Sequence, residues 1–244
     1  QDGELMNMYM KNYFNDVHSR YPFLQKSYVE SLNEERIYLL CNQPGNTNEV
    51  EHDGLAIDKY ILLMVYATGA RLLLREKSCE TESKIYEGNH LIFYQNALLL
   101  NFSDVMDFKN ITSIQAMLLL VIYLLRLPNN NVIWHIICTA LRMCVHFGYH
   151  RRNISLLNEN PLFYLVRSKT FWSAYSLERA ISNSFELPYS LNDRDIDEEL
   201  PIDIDENEND CQVIKRKFFQ TYPHHKIGGC ELPKDTTQPS RTSI

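Results

Sequence analysis

Apolar residues recur at helical spacing along most of this 244-residue chain. Met6 to Phe14 is a short aromatic-rich segment, and Pro22 in "HSRYPFL" stops it, because the residue before a proline is pushed out of the helical region. "SYVE" predicts a capping box, with Ser27 accepting from the backbone and Glu30 reaching back. Asn42 to Gly54 is polar with Pro and Gly and predicts a loop. Leu55 to Leu74 is a long apolar segment interrupted by Asp58, Lys59 and Arg71. Its patch Ala67-Thr68-Gly69-Ala70 is small enough to let another helix approach closely. Tyr86 to Leu100 is a third helix. "TSIQ", Thr112 to Gln115, predicts a second capping box, and Ala116 to Leu125 follows without a polar break. These ten residues fall short of the ~20 that a membrane span needs and suit a helix buried on all sides.

The next helix runs from about Val132 to Phe147. Ile133, Ile136, Ile137, Ala140, Leu141, Cys144 and Val145 form one face, with His135, Thr139, Arg142 and His146 opposite. Gly148 falls where a helix ends in a left-handed residue, and His146, Arg151 and Arg152 place positive charge there. The group Cys144, His146 and His150 therefore reads as a helix terminus rather than a metal site. Leu162 to Phe185 carries aromatic residues on several sides, and Trp172 is expected in the core. Glu178 shares a face with Phe171, Ala174, Ile181 and Phe185, so its carboxylate needs a cation, with Arg142 and Arg167 as candidate partners. "ELPYSLNDRDIDEELP" is an extended acidic segment bracketed by Pro188 and Pro201. After Asp203 the periodicity fades, and the last stretch, rich in Pro, Gly, Thr and Ser, is expected to be disordered.

The pattern implies an all-α fold, an irregular multi-helix bundle with a disordered C-terminal tail. The expected organisation is one helical domain over 1–211 and a basic tail over 212–244. Charge divides the same way. The chain carries −7, the part from Gln212 onward carries +4, and the rest carries −11. This balance argues against a nucleic-acid-binding surface as the main feature. The six cysteines, Cys41, Cys79, Cys138, Cys144, Cys211 and Cys230, form no C-x-x-C pair and fit no zinc framework. Several lie in apolar segments and read as buried residues of a reducing compartment. There is no signal-peptide pattern, and a start at Gln1 reads as a fragment or processed product.

Catalytic patterns are missing. No G-x-S-x-G, Walker loop or Rossmann glycine pattern occurs, and nothing assembles a nucleophile, a base and an oxyanion donor. His224, His225 and Cys230 read as part of a flexible tail, and "DIDENEND" lacks EF-hand spacing. "HRR" at 150–152 and "KRK" at 215–217 read as a helix end and a solvated face, "KRK" being a weak nuclear-import signal. No catalytic residue and no metal ligand is assigned.

Four pieces in order add a resemblance. They are "YFNDVHSRYPFL" (13–24), "ILLMVYATGARLL" (61–73), "QAMLLLVIYLLR" with "WHIICTALRMCVHFGYHRR" (115–152), and "RSKTFWSAYSLERAISNSFELPYSLNDRDIDEELP" (167–201). Together, over roughly residues 9–201, they resemble the fungal-specific transcription factor domain, the middle homology region of Zn2Cys6 zinc-cluster regulators. Tyr149 stands where that family usually has leucine, and Glu186-Leu187-Pro188 replaces its Gly-Arg-Pro turn.

The resemblance implies a non-enzymatic regulatory domain that controls RNA polymerase II transcription from the nucleus. DNA would be reached only through an N-terminal zinc cluster absent from this chain. Zinc is expected only in that cluster, and no cofactor in this chain. The implied partners are a second copy in a homodimer, transcriptional co-regulators and a small-molecule effector, with no membrane. Gln115, Arg142, Arg167, Glu178 and Arg179 are the candidate effector-binding or core polar groups; the bland expectation is that they pair with one another and hold the helices in register. The alternatives are a stand-alone helical small-molecule-binding protein or enzyme, and a truncated remnant without function.

Overall fold

The computed structural model describes residues 2–35, 49–76, 80–100, 110–128, 131–204 and 210–223. Among these residues there are nine α-helices and no strand. They are α1 (Asp2–Tyr13), α2 (Lys26–Glu34), α3 (Glu49–Glu76), α4 (Glu80–Leu99), α5 (Ile111–Leu124), α6 (Ile133–His146), α7 (Ile154–Glu159), α8 (Pro161–Phe185) and α9 (Cys211–Thr221). A π-turn, Phe14–His18, follows α1, and a 3-10 turn, Asp193–Asp195, interrupts the extended stretch after α8. No described helix is long and apolar enough to cross a membrane.

The apolar run in α5 places it at the centre. Every residue from Ser113 to Leu124 is buried, and α3, α6 and α8 pack around it. Helix α1 lies along α3, and Gly69 sets how closely. A Cβ built on Gly69 would stand 2.0 Å from the Tyr9 carbonyl oxygen, so only hydrogen fits there. This is the close approach expected from the small-residue patch. Tyr66, beside it on α3, donates to Asn33 Oδ1 at 2.5 Å, and Asn89 Nδ2 on α4 donates to Tyr9 OH at 2.9 Å.

Both expected capping boxes give way to other contacts. Helix α2 starts two residues earlier, at Lys26, with Gln25 as a cap that makes no side-chain hydrogen bond. Helix α5 starts at Ile111 after Asn110, again without a side-chain cap. Gln115 does not fold back; it is buried and donates through Nε2 to the Phe23 carbonyl at 2.6 Å. Burial decides this: an amide inside the bundle takes a buried carbonyl, which Thr170 Oγ1 also approaches at 3.5 Å, rather than a terminal N–H near water. The expected loop at 42–54 is helical from Glu49 onward, and 42–48 lie outside the described residues.

Helix α6 ends as expected. Gly148 has φ +73°, and Tyr149 N donates to the Cys144 carbonyl at 2.8 Å. Helix α8 begins on Asn160, whose side chain accepts from Phe163 N at 3.1 Å, with Pro161 in the first turn. It ends on Glu186, which adopts the left-handed conformation (φ 56°, ψ 38°), and Leu187 N donates to the Ser182 carbonyl at 2.9 Å. Glutamate thus occupies a left-handed position that favours glycine, where the resembled family writes Gly-Arg-Pro.

Residues 186–204 then run back as a strap toward the start of α8. Beyond the strap the expected tail boundary shifts. Residues 212–221 form most of α9, capped by Asp210, whose side chain accepts from Gln212 N at 2.8 Å. Ile214, Phe218 and Phe219 join Leu157, Tyr164, Leu165, Ile202 and Ile204 in a second, smaller core. The basic residues of "KRK" stand among apolar positions at helical spacing, so net charge hid an amphipathic helix. Residues 224–244, including His224, His225 and Cys230, lie outside the described residues.

Candidate functional site

Helix α8 carries two polar clusters, and the strap reaches both. Near its C-terminal end, the Glu178 carboxylate is buried and accepts from Ser190 N at 2.7 Å, Ser182 Oγ at 3.3 Å and Arg179 Nη1 at 3.3 Å. Trp134 Nε1 on α6 donates to Ser182 Oγ at 3.1 Å, so the same network crosses to a second helix. Arg179 reaches over the strap. Its Nη2 donates to the Leu191 carbonyl and to Asp193 Oδ1, each at 2.6 Å. The guanidinium stands 4.6 Å from the Tyr175 ring centroid and 4.0 Å from that of Tyr189, at cation–π range. Tyr175 OH also donates to Asp193 Oδ1 at 2.8 Å. The hydrogen bonds from Tyr175 and Arg179 hold the Asp193 carboxyl below its usual proton affinity.

The second cluster centres on Arg167, 11 residues earlier, or roughly 16 Å along the helix. Arg167 Nη2 meets Glu198 Oε2 at 3.2 Å and also donates to the Arg151 carbonyl. Both side chains are enclosed, at 4% and 0% exposure. The guanidinium lies 5.5 Å from the ring centroids of both Tyr149 and Tyr164. The strap backbone is tied here as well. Asp197 N and Glu198 N donate to the His150 carbonyl at 3.1 and 3.2 Å, and Trp172 Nε1 donates to the Glu199 carbonyl at 2.7 Å. Arg151 and Arg152 add looser ion pairs at 3.6 Å to Asp197 and Glu199. Burial pushes the Glu198 carboxyl up to about 7 against the pull of Tyr164 and Arg167. Burial, with the neighbouring Arg151 charge, lowers the proton affinity of His150.

The five candidate polar residues therefore separate. Glu178 and Arg179 come together, while Arg167 pairs with Glu198 elsewhere and Gln115 ties α5 to the Phe23 turn. Arg142 belongs to none of these; it is exposed and donates to Thr139 Oγ1 at 3.3 Å. The expected pairing of Glu178 with Arg142 or Arg167 is thus corrected to Arg179. The reason is rotational for Arg142 and axial for Arg167. Arg142 sits on the solvent stripe of α6, and 11 residues turn the α8 backbone just over three turns, which separates Arg167 from Glu178 axially. Trp172 is half-buried rather than enclosed.

The strap's contribution was missed. From the sequence Glu198, Asp193 and Tyr189 read only as part of an extended acidic segment. One signal is present in the extended stretch: Ile196, Glu198, Ile202 and Ile204 share one phase of a two-residue alternation and face inward, with Leu200 of the same phase turned out at 60% exposure.

Among the described residues no three His, Cys, Asp or Glu side chains converge in a way that would hold a metal ion. Cys138 and Cys144 are buried, Cys211 is exposed, and burial raises the proton affinity of the Cys138 and Cys144 thiols. Cys41, Cys79 and Cys230 lie outside the described residues. The described cysteines do not supply the donor set of a six-cysteine zinc cluster. An open cleft lined by Asn131, Trp134, His135, Phe185 and Leu187 lies beside the Glu178 cluster.

An all-helical bundle with its long helix strapped by an acidic return segment now has a family to belong to. The family model described as "Fungal specific transcription factor domain" matches residues 10–238, and the chain belongs to that family. Several relatives are named as regulators, activators or transcription factors. The chain is 25% identical over 240 residues to protein STB5 of Saccharomyces cerevisiae, covering 93% of this chain and 29% of STB5. It is 30% identical over 105 residues to "Activator of stress genes 1" of the same yeast, covering 43% of this chain and 11% of the relative. It is 29% identical over 112 residues to the "ABC-transporter-regulating transcription factor" of Aspergillus fumigatus, covering 46% of this chain and 12% of the relative. The chain thus spans less than a third of the length of these relatives. No solved structure matches it.

Proposed function

We propose that this chain is the regulatory domain of a nuclear zinc-cluster transcription factor, without enzymatic activity of its own. In this reading it governs RNA polymerase II transcription of target genes by changing its packing when an effector or a co-regulator binds. DNA is read by a zinc cluster elsewhere in the full protein, and pairing of two copies would set the spacing of the two DNA contacts. The observation that carries the reading is the family match over residues 10–238. The names of relatives such as "Activator of stress genes 1" and the "ABC-transporter-regulating transcription factor" support it. The architecture is compatible with a switch: the strap is fastened to α8 by polar contacts rather than by a continuous apolar face, and such contacts can be traded for a ligand's.

A reporter fusion tests this. The chain is inserted between a heterologous DNA-binding domain and a strong activation domain in yeast, with nuclear entry checked by fluorescence. Reporter output is expected to differ from that of the same fusion lacking the chain, and Arg179→Ala, which loosens the strap, is expected to return it toward that reference. Equal output from all three fusions, each nuclear and equally abundant, would reject a regulatory role.

A further inference from the structure

Two buried polar atoms without a hydrogen-bond partner, Arg167 Nε and His150 Nδ1, flank the Arg167–Glu198 pair, while Tyr164 and Ser168 hold the Glu198 carboxyl. Arg167, Tyr164 and Glu198 are each at least 95% buried. Buried polar groups are paired in the great majority of cases, so a cluster of this kind needs an explanation. A guanidinium offers a carboxylate two parallel donors, and the two-point grip is the strong one. Glu198 reaches this guanidinium through Nη2 while Nε stays unpartnered. Its backbone explains why. Residues 197 and 198 are pinned to the His150 carbonyl, and residue 199 accepts from Trp172, so the carboxylate cannot move to the position a free one would take. The tethered group is an imperfect occupant of a well-built anion site.

We propose that Arg167 is a recognition site for a small carboxylate, filled in this structure by the chain's own Glu198, and that a soluble carboxylate takes it over by displacing the strap. This deepens the regulatory reading above, on which its biological meaning rests, by naming the chemical class of the effector. Arg167 Nε and Nη2 would grip the ligand's carboxylate, and the Tyr164 hydroxyl, released from Glu198, would supply a third donor. The exchange puts the ligand's carboxylate in place of the Glu198 carboxyl at Arg167 and sends Glu198 toward solvent beside Asp197. Displacement breaks the link from Trp172 to Glu199, so the indole reports the event.

The test removes the internal occupant. Glu198→Ala deletes the equivalent of acetate, and the full chain is melted in increasing acetate at constant ionic strength, with chloride as the balancing anion. The variant's midpoint is expected to rise saturably, by about 3–5 °C at ten times the dissociation constant. Arg167→Lys combined with Glu198→Ala is expected to lose the rise, because lysine keeps the charge and not the fork. A rise that chloride reproduces, or that the double variant retains, overturns the proposal. If Glu198→Ala does not fold, the wild-type site is read directly. With Trp134→Phe leaving Trp172 as the single indole, succinate is expected to change its emission saturably, and a flat titration to 100-fold excess over protein and beyond, into the tens of millimolar (~10–50 mM, the range for a single weak ion pair), overturns it. A negative result removes the carboxylate site alone, since the reporter fusion reads regulation independently.

Discussion

Gly69→Ala and Gly88→Ala are the same chemical change on neighbouring helices, and the structure predicts opposite signs. Alanine at 69 would place its Cβ 2.0 Å from the Tyr9 carbonyl oxygen, 2.6 Å from the carbonyl carbon and 2.9 Å from the Tyr9 Cα. A carbon beside a carbonyl oxygen needs roughly 3.3 Å, so α1 must retreat by roughly 1.3 Å. The obstacle is backbone, so no rotamer change relieves it. Retreat also opens gaps around Tyr9, Tyr13 and Val17, all within 1% of full burial. Overpacking of this kind costs about 1–3 kcal/mol, and the upper end applies when backbone meets backbone. Against it stands the helix preference for alanine, worth about 0.8–1.0 kcal/mol. The expected net loss is about 2 kcal/mol. At Gly88, exposed on α4, a Cβ meets nothing within 4 Å. Only the helix preference remains, so Gly88→Ala should gain about 0.8–1.0 kcal/mol. The two variants should melt about 6–12 °C apart by circular dichroism, with urea midpoints ordered the same way. A Gly69→Ala protein as stable as the wild type would refute the seating of α1 on α3.

Three further expectations rest on the strap and α8. Burial raises the Glu198 carboxyl from 4.5 to about 7, so the folded chain binds more protons in that window and stability falls as pH rises through it, by up to about 3 kcal/mol. Glu198→Gln should flatten this slope, and parallel pH profiles for the two proteins would show the carboxylate to be charged throughout. Glu186→Gly should stabilise the fold by about 1 kcal/mol, because the left-handed turn strains any side chain, and a loss in urea unfolding would mean the glutamate contributes a contact of its own. Trp172→Ala should cost about 3 kcal/mol through lost contact with Phe171 and Tyr175 and an orphaned Glu199 carbonyl, and a shift below about 1 kcal/mol would contradict that packing.

Helices on this chain were legible because burial leaves a periodic trace. The run from Ala116 to Leu125 announced a central helix, the three-four spacing from Ile133 to Val145 announced a face, and Gly148 announced where it ends. The Ala67 to Ala70 patch even announced a close approach, since lack of side-chain volume is a local property. The polar partners were not local properties. Glu178 declared its need for a partner by sitting on an apolar face, yet the cation nearest in space is its own neighbour, Arg179, turned toward it by the strap. Glu198 carried the same charge as every acidic residue around it, and only the fold turned it inward onto Arg167. Helix α9 was obscured for a related reason: "KRK" masked Ile214, Phe218 and Phe219, whose burial depends on a surface made by α7, α8 and the strap. Periodicity is written residue by residue along the chain. Which charge meets which depends on segments far apart in sequence, and those distances exist only once the helices have packed.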